Sequence, residues 1–316
     1  QTGRTSKLRD PTLRLDGHGS AVFGVSFDPS GQHLASCSKD KNIFLWDVYG
    51  DCENYALLEG HKNAVLDVHW SADSLYVGLQ LVSCSADKTV SVWDAETGRR
   101  HRKLAGHSGI VNACSPVRRG PNLVASASDD STVKVWDVRA KRVASTLTHP
   151  FMVTAVAFGD DGTNVFSAGI DNLIRCWDFR KEDTTFVMDG HADTPTYLSV
   201  SPNGNFLLSN SMDETVRAWD VRPFCATHRC MKTFSGVKHN FEKHLLGCAW
   251  SPNGERVAAA SSDKNMYVWE LETMALTYAL PGHAGAVTSV DFHPKEPIVV
   301  SGGVDGTVYM GEISVV

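Results

Sequence analysis

The sequence predicts an all-β fold, a closed ring of seven four-stranded sheets. Three observations support this prediction. Trp-Asp recurs along the chain, with successive tryptophans of the pattern 41 to 50 residues apart. An aspartate precedes each Trp position by six residues, and short segments of alternating apolar and polar residues lie between these landmarks. A period of about 40–45 residues that closes on Trp-Asp is typical of a β-propeller blade, so the number of copies gives the number of blades.

Each repeat contains signals for four strands in order. Residues 64–70 and 286–292 alternate as half-buried first strands do, and a turn cluster such as residues 201–204 (Ser-Pro-Asn-Gly) follows. A second apolar strand leads to the aspartate, and a third ends on tryptophan. The segment before the next Gly-His, for example residues 277–280, supplies the fourth strand.

The two ends of the chain predict how the ring closes. The seventh repeat has Gly311-Glu312 in the Trp-Asp position and stops five residues after Gly311, too soon for a fourth strand. Residues 12–15 match the fourth-strand pattern. We therefore expect the N-terminal segment to complete the last blade and remove the exposed sheet edges. This assigns residues 11–316 to one propeller and residues 1–10 to an N-terminal tail.

Histidine, serine, aspartate and tryptophan recur together within the repeats. Such a set resembles the hydrogen-bonded tetrad of WD40 propellers, in which the four side chains link in series within each blade. Buried polar groups need partners, and these side chains can supply them to one another. The predicted tetrads are His18, Ser36, Asp40 and Trp46; His61, Ser83, Asp87 and Trp93; His107, Ser126, Asp130 and Trp136; His149, Ser167, Asp171 and Trp177; and His191, Ser209, Asp213 and Trp219.

The same residue types could indicate catalysis. An enzyme needs one active site, whereas a propeller needs one set of stabilising contacts in each blade. Because the set is repeated, we interpret it as structural and predict no catalytic residues and no enzyme activity.

Composition excludes several other functions. The chain of 316 residues carries a formal net charge of −6, with 42% hydrophobic and 21% charged residues. Its longest basic stretch, residues 99–103, is short, so we expect no autonomous sequence-specific binding of nucleic acid. No apolar run approaches the ~20 residues needed to cross a bilayer. The eight cysteines include no Cys-x-x-Cys pair, and Cys225, His228 and Cys230 have no second half-site for zinc. We predict no metal, no cofactor and a reducing compartment.

Two repeats depart from the pattern. The sixth has Ala259 at the serine position, and counting back from Asp263 places Phe241 in the histidine slot, with His239 two residues out of register. The second repeat has four extra residues near positions 76–80. Loops tolerate such changes at low energetic cost, and some of them mark contact surfaces.

A rim of partner-binding residues can be predicted by position. In WD40 proteins the face with the loop before the tetrad aspartate often binds peptides. Apolar residues exposed there would mark an interaction site; the alternative is that they pack together at the channel mouth. The candidates are Phe23, Lys39, Leu66, Asn112, Asp129, Ile170, Met212, Leu246 and Val304.

Several stretches outside the repeat consensus resemble one WD-repeat family, the propeller subunit of the U5 small nuclear ribonucleoprotein of the spliceosome. They are residues 46–55, 118–121, 219–224, 239–243, 280–285 and 309–313. The resemblance implies a nuclear, non-catalytic subunit that docks on the large U5 scaffold protein and contacts other ribonucleoprotein subunits. Residues 76–80 and 225–228 depart from the family pattern. We expect the isolated chain to be a monomer.

The alternative function is that of a peptide-reading propeller in another nuclear complex, such as a histone-tail reader or a ubiquitin-ligase substrate receptor. A tail reader needs an acidic or aromatic pocket for a basic side chain. Among the predicted rim residues Asp129 is the only carboxylate.

Overall fold

A computed structural model of the protein describes residues 6–74, 78–140, 142–225 and 228–313. Within these ranges the secondary structure consists of 28 strands in seven four-stranded antiparallel sheets, which confirms the predicted seven-bladed propeller. No helix in this part of the chain is long and apolar enough to cross a membrane.

Each blade consists of four strands, which follow one another from the central channel to the outside of the ring. Each blade carries the number of the sequence repeat that supplies its inner three strands. The innermost strands are β2 (Val22–Phe27), β6 (Val65–Ser74), β10 (Val111–Pro116), β14 (Val153–Phe158), β18 (Pro195–Val200), β22 (Cys248–Trp250) and β26 (Val287–Phe292). The second strands are β3 (His33–Ser38), β7 (Gly78–Ser85), β11 (Leu123–Ser128), β15 (Asn164–Gly169), β19 (Phe206–Ser211), β23 (Arg256–Ala260) and β27 (Ile298–Gly303).

The two outer positions complete each sheet. The third strands are β4 (Ile43–Asp47), β8 (Thr89–Asp94), β12 (Thr132–Asp137), β16 (Ile174–Asp178), β20 (Thr215–Asp220), β24 (Asn265–Glu270) and β28 (Thr307–Glu312). The outermost strands of blades one to six are β5 (Asn54–Leu58), β9 (Arg100–Ala105), β13 (Arg142–Thr148), β17 (Asp183–Met188), β21 (Cys230–Ser235) and β25 (Leu276–Pro281).

The N-terminal strand β1 (Thr12–Asp16) closes the ring. It pairs antiparallel with β28, from Thr12 opposite Gly311 to Asp16 opposite Thr307. This confirms the predicted closure. The residues before it also contact the last blade: Leu8 is 4% exposed in the core between blades seven and one, and Ser6 Oγ donates to Glu312 Oε2 at 2.6 Å. The described part of the predicted tail, residues 6–10, is therefore packed on the propeller.

Apolar packing between neighbouring blades joins the sheets. Val133 and Leu147 of blade three, for example, share a buried cluster with Val156 and Phe158 of blade four. Burial of such apolar surface provides roughly 25 cal/mol per Å². Seven such clusters join each pair of neighbouring blades around the ring.

The turn clusters lie where the sequence predicts them. In the first blade the amide of Gly31 donates to the carbonyl of Asp28 at 3.0 Å, and Gly31 has a φ of 79°. Glycine adopts this left-handed conformation without steric cost. In blade two the extra residues lengthen the hairpin of β6 and β7, where Ser74 is opposite Gly78. Residues 76 and 77 of the predicted insertion lie outside the described residues.

Candidate interaction surface

The two faces of the ring carry different loops. The loop that enters each innermost strand and the turn between the second and third strands lie on the same face, because backbone bonds such as Lys39 N to Ala21 O at 2.9 Å join them. We call this the tetrad face. The turns between first and second strands lie on the opposite face.

Blade two shows how a tetrad is built. Trp93 Nε1 donates to Ser83 Oγ at 2.8 Å, Ser83 Oγ lies 2.8 Å from His61 Nε2, and His61 Nδ1 lies 3.0 Å from Asp87 Oδ2. A carboxylate only accepts, so His61 Nδ1 carries the proton and Ser83 donates to Nε2. Burial opposes ionisation of Asp87, but hydrogen bonds from His61, Thr89 and the Lys62 amide lower its pKa below the ordinary value.

Blades one, two, three and five contain the whole chain of hydrogen bonds from tryptophan to aspartate. The serine–histidine distances in these blades are 2.8, 2.8, 2.7 and 2.6 Å. The serines Ser36, Ser83, Ser126 and Ser209 are all 0% exposed. A nucleophile must reach its substrate, and these hydroxyls are enclosed and already engaged by an indole and an imidazole. The arrangement can stabilise a blade but offers no route to catalysis.

Blade four breaks the predicted tetrad at its aspartate. Trp177 Nε1 donates to Ser167 Oγ at 2.7 Å, and this oxygen lies 2.8 Å from His149 Nε2. Asp171 instead pairs with Arg175 at 2.6 Å, and no hydrogen bond joins His149 to Asp171 in this described part of the chain. The predicted fourth tetrad is thus a triad, because a guanidinium competes for the carboxylate. Burial first, and then the charge of Arg175, lower the pKa of His149 to about 4.

Blade seven contains the same hydrogen bonds between histidine, serine and aspartate, but among the described residues no tryptophan side chain donates to the serine. His283 lies 2.9 Å from Ser301 Oγ and 3.1 Å from Asp305 Oδ1. Tyr309, two residues before the Trp position, contacts the His283 ring edge-on with centroids 4.7 Å apart. The aromatic ring thus covers the imidazole from a different position on β28.

Blade six has an apolar core in place of the tetrad, and the predicted occupant of its histidine slot is wrong. Val237, not Phe241, follows the glycine that precedes the slot in other blades, and it is 1% exposed against Trp269. Ala259 fills the serine position at 0% exposure. Asp263 accepts from the Tyr267 hydroxyl at 2.6 Å. Counting back from Asp263 failed because the loop after the slot is four residues longer than in blade one.

The longer loop, residues 238–245, projects from the tetrad face. Phe241 is 91% exposed. Both ring nitrogens of His239 are buried without a hydrogen-bond partner among the described residues, and burial lowers the pKa of this imidazole. Glu242 Oε2 is engaged by His244 at 3.0 Å. Large apolar side chains that remain in water on such loops are candidates for partner contacts.

The predicted rim residues have different environments. Lys39 and Ile170 are exposed, and Phe23, Leu66, Met212 and Val304 are half-buried. Asn112 Nδ2 donates to Asp129 Oδ1 at 2.7 Å, so this carboxylate is already engaged. Leu246 is 0% exposed, which corrects its placement on the contact rim. It packs in the core with Val287, and its carbonyl accepts from Thr196 Oγ1 at 2.8 Å.

Blades three and four carry an apolar arc on the tetrad face, which the positional rule found only at Ile170. Ile110, Phe151, Met152 and Ile170 are 38%, 53%, 44% and 43% exposed. The amide of Ile170 donates to the carbonyl of Met152 at 3.2 Å, so these two are adjacent. The signal missed in the sequence is the Phe-Met pair directly after His149-Pro150.

Blade seven, which stands between blades six and one, has no lysine in its loops on this face, but blades six, one and two together carry six, called here the lysine arc: Lys39, Lys41, Lys62, Lys88, Lys243 and Lys264. All six are exposed. In the same loops and turns of blades three, four and five there is no lysine, and Asp129, Asp193 and Glu214 occur instead. Lys238 of blade six pairs with Glu214 of blade five at 3.0 Å, where the lysine-bearing blades border the blades without lysine. The tetrad face is therefore divided by charge.

The channel opens on the opposite face into a cavity of about 480 Å³. His69 Nε2 lies 3.1 Å from Asp67 Oδ2 and 3.0 Å from the Tyr197 hydroxyl oxygen. Burial alone would lower the pKa of His69, but the charge of Asp67 raises it. Burial raises the pKa of Asp291 to about 6, against hydrogen bonds from the Phe27 and Phe292 amides.

Asp67, Cys84 and Cys114 are the one group of potential metal ligands brought together in the described residues, with ligand atoms within 4.8 Å of one another. All three are buried. Burial raises the pKa of both thiols, and Asp67 accepts the amides of Val68 and Cys114 at 3.0 and 3.1 Å. Metal ligation requires thiolates, so this environment favours a core role. In the segment that the sequence analysis weighed as a zinc half-site, Cys225 and Cys230 are partly exposed, and residues 226–227 lie outside the described residues.

Seven sheets with repeated tetrad side chains define a class of protein. The WD domain, G-beta repeat model matches residues 9–47, 52–94, 98–137, 141–178, 182–220, 229–270 and 274–310. The chain therefore belongs to the WD40-repeat family.

Full-length relatives narrow this class. The chain is 51% identical over 310 residues to the human U5 small nuclear ribonucleoprotein 40 kDa protein, covering 98% of this chain and 86% of that protein. It is 45% identical over 313 residues to the Dictyostelium discoideum protein of the same name, covering 99% and 87%. It is 46% identical over 311 residues to the Schizosaccharomyces pombe pre-mRNA-splicing factor cwf17, covering 98% and 90%. These relatives confirm the resemblance found in the sequence.

Proposed function

We propose that this chain is a non-catalytic protein-interaction subunit of the U5 small nuclear ribonucleoprotein, which acts in pre-mRNA splicing in the nucleus by docking on the large U5 scaffold protein. The observation that carries the proposal is identity of 45–51% over nearly the whole chain to proteins named as U5 and splicing components. Proteins related at this level share a fold and, as a rule, the partners that their surfaces recognise.

The surface chemistry supports a docking role. Exposed apolar residues such as Phe241 and Phe151 project from a rigid ring, and aromatic side chains dominate the energetics of protein interfaces. The Ser-His-Asp sets are buried and repeated, which supports a function without catalysis. We expect contacts with other ribonucleoprotein subunits, no sequence-specific binding of RNA by the isolated chain, and a monomer in isolation.

The histone-tail alternative receives no support from the rim. A reader of basic tails needs a free acidic pocket, whereas Asp129 is engaged by Asn112 and the lysine arc would repel a basic peptide.

Affinity capture from nuclear extract tests the proposal. A tagged chain incubated at ~0.1 M salt should retain the large U5 scaffold protein, identified by mass spectrometry, together with other U5 proteins. A propeller of the family without the non-consensus stretches serves as the control. Capture of no U5 protein above that control would refute the proposed function.

A further inference from the structure

The lysine arc carries an excess of positive charge, because its loops and turns hold six lysines and four carboxylates, Asp40, Asp87, Glu242 and Asp263. Its six ammonium groups are exposed, and none lies within ion-pair distance of a carboxylate there, whereas neighbouring Lys238 has such a partner in Glu214. In the loops and turns that carry the arc, Asp40 and Asp87 are engaged by their histidines and Glu242 by His244. On a chain with a net charge of −6, this concentration of free lysines is a local reversal of sign.

Three of these lysines occupy backbone positions that disfavour lysine. Lys41, Lys88 and Lys264, each directly after the tetrad aspartate, have φ values of 77°, 70° and 74°. Blade seven has Gly306 at this position and blade four has Asn172, which are the residues that accept left-handed backbone most readily. Ser131 and Glu214 hold it in blades three and five with φ values of 64° and 62°, so the conformation belongs to the repeat, and glycine can replace lysine there without strain.

The arc borders apolar surface at the channel mouth. Phe23, Leu66 and Val304 are half-buried there, and the ring of His244 lies 6.3 Å from that of Phe23. A ligand that covers both features needs negative charge and apolar side chains.

A protein segment fits this combination better than RNA. Proteins that bind single-stranded nucleic acid combine a positively charged groove along the backbone with aromatic side chains on which bases stack. Here Glu242 lies between Phe241 and Lys243, and Asp193 and Glu214 stand at the end of the arc. These carboxylates would repel phosphates, whereas a peptide of mixed polarity can place its own neutral or basic residues against them.

We propose that an acidic, extended segment of the large U5 scaffold protein lies along the lysine arc of the tetrad face, with apolar side chains at the channel mouth. The proposal rests on the proposed function, because it takes the segment from the scaffold protein. Beyond that function, it specifies which face of the ring and which blades bind the segment, and that the contact pairs lysines with carboxylates.

The left-handed turns provide a test that does not endanger the fold. The triple variant Lys41→Gly, Lys88→Gly, Lys264→Gly removes three charges and relaxes three strained turns, so it should unfold at no lower temperature than the wild type. We expect it to capture about tenfold less scaffold protein from nuclear extract, in line with the loss of three interfacial charges. Lys41→Arg, Lys88→Arg, Lys264→Arg keeps the charges and should capture as well as the wild type.

The matched control changes the same turn position in blades three and four. Ser131→Gly combined with Asn172→Gly changes no charge and should retain capture. Equal capture by the wild type and the lysine-to-glycine variant would overturn this inference and leave the proposed function standing, whereas failure of the wild type itself would overturn both. Loss of wild-type capture after RNase treatment would identify RNA as the ligand of the arc and also overturn the inference.

Discussion

Blade two and blade six place the same four strands and the same tryptophan in the ring, but they fill the space beneath the entering loop differently. Blade two uses His61, Ser83 and Asp87 in a hydrogen-bonded chain, and its loop is short. Blade six uses Val237 and Ala259, both almost fully buried, and its loop is longer and carries Phe241 into solvent. The tetrad is therefore one way to anchor this loop, and apolar packing replaces it where the loop is longer.

The largest effect should come from breaking the blade-two chain at its centre. Ser83→Ala removes the acceptor of the Trp93 indole and the donor to His61, and both groups remain buried. We expect a loss of about 3 kcal/mol in the free energy of unfolding, measured in urea at pH 7. Ser301→Ala in blade seven is the control, because no tryptophan donates to Ser301 and the loss there should be about 1 kcal/mol. Equal losses would contradict the proposed part played by the indole.

Giving blade two the residues of blade six should lower the free energy of unfolding by less than the sum of the two single substitutions. His61→Val combined with Ser83→Ala removes the two buried polar groups together, so neither is left facing a missing partner. We expect the double variant to lose about 3 kcal/mol, well below the sum of the two single losses. Strict additivity in the double-mutant cycle would show that the chain does not act as a unit.

Blade four provides a pH-dependent version of the comparison. The pKa of His149 in the folded protein, about 4, is below its unfolded value of ~6.5, so the folded state binds fewer protons between these values. Its contribution to stability is therefore present above pH ~6.5 and is lost as the pH falls toward 4. Arg175→Met removes the competing charge and frees Asp171 for His149. The loss of stability between pH 7 and pH 5 should shrink by about 1 kcal/mol.

Arg217→Met is the matched control for that experiment. Arg217 holds the same strand position in blade five, where the tetrad is complete. Its replacement should leave the pH 7 to pH 5 difference unchanged. If both variants respond alike, the acid sensitivity does not arise at His149.

The smallest effect on stability should be at the blade-six loop. Phe241→Ser changes a side chain that is 91% exposed, so the free energy of unfolding should stay within ±0.5 kcal/mol of the wild type. Thermal unfolding of the two proteins checks this. A loss of 2 kcal/mol or more would mean that Phe241 supports the fold, and blade six would no longer be the blade with a free loop.

The sequence alone predicted the features of this molecule in which residues are separated by a fixed number of positions. A serine opposite the third strand and a tryptophan ten residues later meet in the same sheet whatever the loops do, so most tetrads were predictable. The slot of blade six was not, because counting back from Asp263 assumed a constant loop length; Gly236 before Val237 was the better signal. Leu246 was misplaced because strand register alone does not tell core from rim. The competition of Arg175 for Asp171 depends on side-chain position.

The division of the tetrad face into a lysine arc and an apolar arc could be predicted only in part. Lys39, Asp129 and Ile170 were named by position, but the exposure of Phe151 and Met152 depends on how their loop enters β14. Each arc is formed by loops that are close in space but belong to different repeats of the sequence. Charge segregation of this kind becomes visible only when the ring is closed.

Zero-length carbodiimide cross-linking of the captured complex tests the central claim most directly, because this reagent joins only a lysine amine and a carboxylate that are in contact. We expect cross-linked peptides that join Lys41, Lys88 or Lys264 to aspartate or glutamate residues of the U5 scaffold protein. Cross-links to that protein only from lysines elsewhere on the ring, such as Lys103, Lys181 or Lys295, would contradict it.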